Sequence, residues 1–395
     1  MKLVKGVFII MIASITFLYG KGGLEREIVE ARNDFAFSLF GKLVQDNQID
    51  NVIFSPLSVH LALTMVLNGA EDETKEQIAK TLGLNSKELI SINKFNSSYL
   101  RNIQEQSDGT SYLMANSLWL GEDYGLSIEY AKMMNIFYNA NVSNVDFGKA
   151  DAKEKINDWI SQNTAGIIED MIEETNPADI LYIINAIYFK SKWEKAFDTA
   201  ETYQDIFYVD NRQEITVDMM NRKDNIWLYI DENLQAFHLD FKGDFTITFI
   251  MPESSFDDYC LNLEKDEYNR IKEKLHKKEA IIHMPRLDTK FKTPLNKTLE
   301  SMGMKAAFDP AKADFGGILE NASSDIFIEL VLHQAAIKLD EEGAEAAAAT
   351  VVELAKSAAP TSIETIKLDK PFLFNIEEKR TGTVIFSGII RNPNK

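Results

Sequence analysis

The sequence predicts an α+β domain, and three features carry the prediction. Helical periodicity fills the first half of the chain. Short runs of period-two alternation fill the second. No linker, charge block or fixed-period repeat divides the two. The chain has 395 residues, 45% hydrophobic and 26% charged. That is ordinary globular composition, long enough for two domains or one large one. Nine prolines and 19 glycines lie scattered along it, so one large domain is expected. Helices early and strands late argue against a βαβ series.

The first twenty residues stand apart. MKLVKGVFIIMIASITFLYG carries Lys2 and Lys5, then an apolar run of 13 residues from Val7 to Tyr19, and no acid. A basic start and a short apolar run are the plan of a secretory signal. A membrane span needs roughly 20 apolar residues, so the alternative of an uncleaved anchor is the weaker one. The expectation is a signal peptide over 1–20, a domain over 21–395, a secreted, extracellular protein and no membrane partner. Gly20 is small, but Leu18 is not the small residue that a well-marked cleavage site has.

The helices follow in order. NDFAFSLFGKLVQ (33–45) sets Phe35, Phe37, Leu39, Phe40 and Leu43 on a wide apolar face after an Asn/Asp start. SPLSVHLALTMVLNG (55–69) opens with Ser55 as N-cap and Pro56 at the first helical position, and ends near Gly69. EDETKEQIAKTLG (71–83) and ADAKEKINDWISQNTAG (150–166) repeat the plan. The strand signals are DIFYVDNRQEITVDMM, TITFIMPES, AIIHMPRLDT, DIFIELVLHQAAIKL and KPFLFNIEEKRTGTVIFSGII. In the last, Lys379-Arg380-Thr381-Gly382 reads as a turn between two strands.

Several function classes are excluded. The formal charge is −19, and losing 1–20 leaves 40 Lys+Arg against 61 Asp+Glu. Such a surface repels phosphate backbones and anionic polysaccharides, so nucleic acid is not a partner. Cys260 is the only cysteine, so no internal disulfide forms; it reads as a partly buried thiol. Its lack of a partner also removes any CxxC site. No GxSxG, HExxH, P-loop or GxGxxG string occurs. His60, His238, His276, His283 and His333 show no metal-ligand spacing. No catalytic residue, metal or cofactor is expected. Sequons start at Asn96, Asn141, Asn296 and Asn321, no more than a chain this rich in Asn supplies by chance.

One stretch remains, EEGAEAAAATVVELAKSAAPTS (341–362). Its alanines and glutamates favour a helix. Read as a strand, one face carries Ala344, Ala346, Ala348, Thr350, Val352 and Leu354, all able to bury. The other keeps Glu345 and Glu353 in water. No proline falls between Gly343 and Ala359, so each backbone N–H there is free to join a ladder. Periodicity alone leaves surface helix and strand both open.

The segment EEGAEAAAAT resembles the hinge of the inhibitory serpins: an acidic pair, a glycine, then small residues. NVIFSPLSVHLALTMVLNGAEDETKEQIAKTLG (51–83), LYIINAIYFKSKWEKAFD (181–198), VLHQAAIKLDEEG (331–343) and DKPFLFNIEEKRTGTVIFSGIIRNP (369–393) resemble further segments of that family, in its order and across nearly the whole mature chain. Ser191 stands where the family usually has glycine, Gln334 where it has lysine, and Ala344 where threonine is common.

The resemblance implies three β-sheets, about nine helices and a reactive-centre loop over about 341–366 that a serine protease attacks and that then inserts into the main sheet. It implies a monomer that forms a covalent complex with its target protease. The hinge would be Glu341, Glu342, Gly343, Ala344, Glu345, Ala346, Ala347, Ala348, Ala349 and Thr350. Ser55, Ser58, Asn185 and His333 match the polar cluster beneath the point where the sheet opens. Trp193, Arg286 and Glu341 match positions at the top of that opening, with Arg286 and Glu341 as an ion pair. Counting from Gly343 puts the reactive bond at Ser357-Ala358, suited to an elastase-like protease. The loop is a few residues longer than in familiar members, which keeps Lys356-Ser357 and a trypsin-like protease open. A non-inhibitory carrier or chaperone of the same family is the alternative function.

Overall fold

The computed structural model describes residues 23–105, 109–209, 213–321, 326–342 and 363–395. The segment read as a signal, the expected hinge from Gly343 to Thr350 and both candidate reactive bonds lie outside the described residues; Glu341 and Glu342 lie within them.

The chain opens with helix α1 (Gly23–Asp46) and a short strand β1 (Val52–Phe54). Helices α2 (Pro56–Gly69), α3 (Asp72–Leu82) and α4 (Leu89–Glu105) follow. Then come β2 (Thr110–Gly121), α5 (Ile128–Tyr138), β3 (Asn141–Val145), α6 (Ala152–Asn163) and β4 (Leu181–Ser191). The second half runs β5 (Tyr203–Tyr208), β6 (Glu214–Ile230), β7 (Leu234–Asp240), β8 (Phe245–Pro252), α7 (Phe256–Leu261) and α8 (Lys265–Lys274). It continues with β9 (His276–Pro285), β10 (Leu287–Pro294), α9 (Asn296–Ser301) and β11 (Leu330–Leu339), and closes with β12 (Glu364–Lys367), β13 (Phe372–Glu378) and β14 (Thr383–Ile390).

Local chemistry sets several of these boundaries. Ser55 caps α2 by accepting from the Ser58 N–H, and Pro56 sits at its first position, where its missing donor loses nothing. Gly83 ends α3 in the left-handed region at φ 67°, its N–H bonding back to the last turn. Gly382, at φ 72°, turns the chain between β13 and β14. Gly69 is required for a different reason: a Cβ there would stand 2.3 Å from the Ile318 side chain.

Two hydrogen-bonded sheets result. The five-stranded one has the order β10-β11-β4-β2-β3, and the nine-stranded one runs β1-β14-β13-β8-β7-β6-β9-β12, with β5 added on β6. The expected two smaller sheets are joined because β6 serves both. It pairs β5 over its first part, β9 from Met219 to Leu228 and β7 from Trp227 to Ile230. Its buried positions change phase to fit. Val217 and Met219 are buried, then Met220, Arg222, Ile226 and Leu228.

Helix α2 passes through the middle of the molecule with all its residues but Asn68 buried. It backs one face of the five-stranded sheet within the main core. A second apolar cluster covers the other face: Trp119, Phe147, Ile156, Ile160, Ile168, Tyr182, Ile184, Leu332 and their neighbours. The segment after α6 is tied down across this face. Asn157 exchanges two hydrogen bonds with the Ile172 backbone. From β10, Lys290 donates to the Ile167 carbonyl at 2.6 Å and Lys292 to Glu173 at 2.6 Å.

Cys260 is fully buried rather than partly, and burial pushes its thiol up to about 12. Asn96 is buried and bonded to Arg32 and Tyr138, so that sequon is closed in the folded chain.

Candidate functional site: a parallel seam and its two fastenings

Strands β4 and β11 lie side by side and parallel, with Tyr182–Phe189 in register with Leu330–Ile337. Nothing joins them directly in sequence. The chain leaving β11 must reverse before it can run antiparallel to both, and the stretch available to do so starts at Glu341. Two groups of side chains fasten this seam.

The first is a buried polar row. His333 on β11 faces Asn185 on β4, and Asn185 faces Asn116 on β2. The Ser55 backbone N–H donates to His333 Nε2 at 3.2 Å, so the ring proton sits on Nδ1 and is donated to Asn185 Oδ1 at 2.5 Å. Asn185 Nδ2 then donates to Ser58 Oγ at 2.5 Å and to Asn116 Oδ1. Ser55 Oγ donates to the Ile385 carbonyl at 2.6 Å. All four predicted members are buried, and the structure brings them into one network linking α2, β4, β11 and β14. Asn116 belongs to it and was not anticipated. The signal was a lone amide in the apolar run YLMANSLWL, since a polar group inside a buried strand needs a partner.

Burial lowers His333 to about 3, and His60, buried beside Arg32, to about 3 as well. A histidine held neutral in the fold takes up its proton on unfolding. Its contribution is therefore fully present above the unfolded value near 6.5 and is lost as pH falls from there toward 3. Each histidine removes ~1.4 kcal/mol per pH unit in that window. Together they should lower stability by about 3 kcal/mol between pH 6.5 and 5. His238 and His283 shift the same way, and desolvation is their leading cause too. Thermal midpoints taken at half-unit steps from pH 7.5 to 5 should fall steeply below 6.5. A flat profile, or one unchanged in His333→Gln, contradicts this.

The second fastening lies at the upper end of the seam. Arg286, in the corner between β9 and β10, grips the Glu341 carboxylate through Nε (2.9 Å to each oxygen) and Nη2 (2.6 Å). Thr202 Oγ1 donates to the same carboxylate at 2.5 Å, and Asp218 holds Arg286 Nη1 at 3.1 Å. Burial works to raise the Glu341 carboxyl. The Arg286 and Thr202 hydrogen bonds outweigh it, so the group titrates below its usual range. The Trp193 indole N–H donates to the Asp340 carbonyl at 2.7 Å, and its ring stacks on Phe241 at 4.5 Å. Thr202 and Asp218 were not anticipated: they come from distant segments, and no spacing reveals them. The run AIIHMPRLDT, read as one strand signal, proves to be two strands in different sheets that part at Arg286.

A family profile described as Serpin (serine protease inhibitor) matches residues 30–393. The chain belongs to the serpin family. It is 32% identical over 381 residues to a serpin-like protein of Thermococcus kodakarensis, covering 94% of this chain and 87% of that one. It is 29% identical over 379 residues to alpha-1-antiproteinase S of Cavia porcellus, with coverage of 94% and 92%. The native structure of tengpin, a thermophilic serpin, matches with TM-score 0.83 at 29% identity, covering 92% and 94%. Human thyroxine-binding globulin matches with TM-score 0.84 at 25% identity, covering 93% and 98%. The α+β architecture is that of the family, with nine α-helices among the described residues. Serpins as a family are protease inhibitors rather than catalysts.

Proposed function

We propose that this protein is a secreted, monomeric inhibitor of serine proteases that works as a suicide substrate. The observation that carries the reading is the parallel β4/β11 seam, fastened by a buried polar row and by the Arg286–Glu341 pair and followed at once by EEGAEAAAAT. A protease attacks the loop and forms an acyl-enzyme. The cut frees the loop to enter the seam as a new strand, carrying the protease with it before the ester is hydrolysed. The inward-facing residues Ala344, Ala346, Ala348 and Thr350 suit the narrow gap, because none of their side chains is larger than threonine. About ten new ladder positions at ~0.5–1.5 kcal/mol each supply on the order of 10 kcal/mol, comparable to the whole stability of a domain. The basic, apolar start of the chain supports secretion.

Opening the seam must break the His333–Asn185 bond, whose two partners would end up on either side of the new strand. The buried row thus acts as a gate, and the Arg286–Glu341 pair as the latch above it. The second reading is a non-inhibitory carrier. It draws support from thyroxine-binding globulin, a binding protein of the same fold.

Incubation with elastase-like and trypsin-like proteases tests all of this. A complex that survives a denaturing gel is expected. A carrier would only be cleaved, and an enzyme would show turnover. The mass of the released C-terminal peptide locates the bond. Cleavage at Ser357-Ala358 releases residues 358–395, 38 in all, and cleavage at Lys356-Ser357 releases 39. The shorter peptide is expected. Finding only the longer one, with no elastase-like complex, moves the bond to Lys356.

A further inference from the structure

Three N–H groups from residues 193–197 point at three consecutive carbonyls, 340–342, where the chain enters the hinge. Trp193 Nε1 donates to Asp340 O at 2.7 Å, Phe197 N to Glu341 O at 2.8 Å and Trp193 N to Glu342 O at 3.3 Å. These residues must turn back for the loop to enter the seam, so the three bonds oppose insertion. The donating segment has an anchor of its own on β6. Arg222 Nη1 donates to the Lys195 carbonyl, and its Nη2 pairs with Asp224 at 3.1 Å. Its guanidinium lies 4.4 Å above the Phe197 ring. Lys195 Nζ reaches back to the Lys223 carbonyl at 3.0 Å and to Asp224 at 3.1 Å.

The aromatic contacts continue the tie. Phe197 meets Trp193 edge-on at 5.8 Å, Trp193 stacks on Phe241, and Phe241 meets Phe189 of β4 edge-on at 5.4 Å. A buried cation therefore sits at one end of a stack that ends on the seam strand itself.

We propose that residues 192–198 form a clasp on the stem of the reactive loop, and that Arg222 is a positioning residue that sets the clasp's hold and so the rate of loop insertion. The proposal rests on the inhibitory reading above. Arg222 was not singled out by the sequence, where it lies just past the alternating run that ends at Met220 and has no partner in view. A guanidinium over an aromatic face is a directional contact, so a flexible side chain at 222 leaves Phe197 free to swing and the three N–H groups to drift from their acceptors. A cation buried only for packing would stabilise the uncut and the protease-cut forms alike. A clasp stabilises only the uncut form, in which the carbonyls of 340–342 are still held.

The test uses the full chain carrying Arg222→Met, and separately Phe197→Leu, which leaves the cation in place and covers the case in which the first variant does not fold. Uptake of a synthetic peptide of residues 344–354 is followed by native-gel mobility. Thermal midpoints are taken before and after protease cleavage. We expect about tenfold faster uptake in each variant, ~1.4 kcal/mol in the barrier, a lower midpoint for the uncut form and an unchanged one for the cut form. Arg222→Lys keeps the charge beside Asp224 without the flat face over Phe197, and should fall between. Wild-type uptake in both variants, or equal losses in cut and uncut forms, overturns the clasp. A wild-type chain that forms no covalent complex and gains no stability on cutting overturns the inhibitory reading and the clasp with it. A wild type that does both beside unchanged variants overturns the clasp alone.

Discussion

Ala344→Arg is expected to turn the inhibitor into a plain substrate. Ala344 directly follows the glycine of the hinge, and in the proposed mechanism it is the first inward-facing residue to enter the seam. An arginine there must bury its charge between β4 and β11 or stop the strand from entering. Burying an unpaired charge costs several kcal/mol. Each ~1.4 kcal/mol slows insertion tenfold, while hydrolysis of the acyl-enzyme proceeds at its own rate. The covalent complex should fall at least about tenfold, with cleaved protein in its place. Cutting of the variant at an unchanged rate would separate this from a damaged loop. A variant that traps protease at wild-type stoichiometry would falsify the insertion mechanism as drawn.

Glu341→Lys should open the top of the sheet. The native carboxylate is 4% exposed and takes three contacts from Arg286 and one from Thr202. Lysine removes all of them and sets two cations face to face. Breaking a fully buried pair costs 3–5 kcal/mol. Arg286 is 43% exposed and keeps Asp218, so about 2–3 kcal/mol is the expected loss. With the upper fastening gone, the seam can accept a loop from a second molecule, and heating should yield chains of linked molecules on size exclusion. Glu341→Gln loses the pair without the repulsion and should show the same change more weakly. A lysine variant that stays monomeric, with a wild-type midpoint, would remove the latch role from this pair.

What the sequence made legible depended on where the physics is local. The start of α2 could be read from Ser55 and Pro56, the end of α3 from Gly83 and the last hairpin from Gly382, because caps and turns act over a few residues. Strand β4 could not be read by alternation. LYIINAIYFKS is buried on both faces, so it lacks the polar half of the pattern and only the family resemblance singled it out. Helices α4 and α5 went unread too. In α4, Asn93 and Asn96 occupy the buried face and serve a polar network with Tyr138, which blurs the apolar stripe. At the site, resemblance supplied both partners of the His333–Asn185 and Arg286–Glu341 contacts but not the residues that complete them. Asn116, Asp218 and Arg222 reach their places only through pairing between distant strands, and Thr202 through the turn just before β5.

The lysines that β10 sends across the sheet have a mechanical consequence. Lys290 and Lys292 hold the segment after α6 from one side of the seam, while Asn157 holds that segment to α6, which rests on β2 at the other side. Adding one strand separates the two sides by about 4.8 Å, beyond the reach of any of these hydrogen bonds without movement. The strap must therefore slip its lysine moorings or lift as the sheet widens. It works as a gauge fixed across a crack: a fluorophore at exposed Glu169 and another at exposed Asp288 would read the width of the seam in solution.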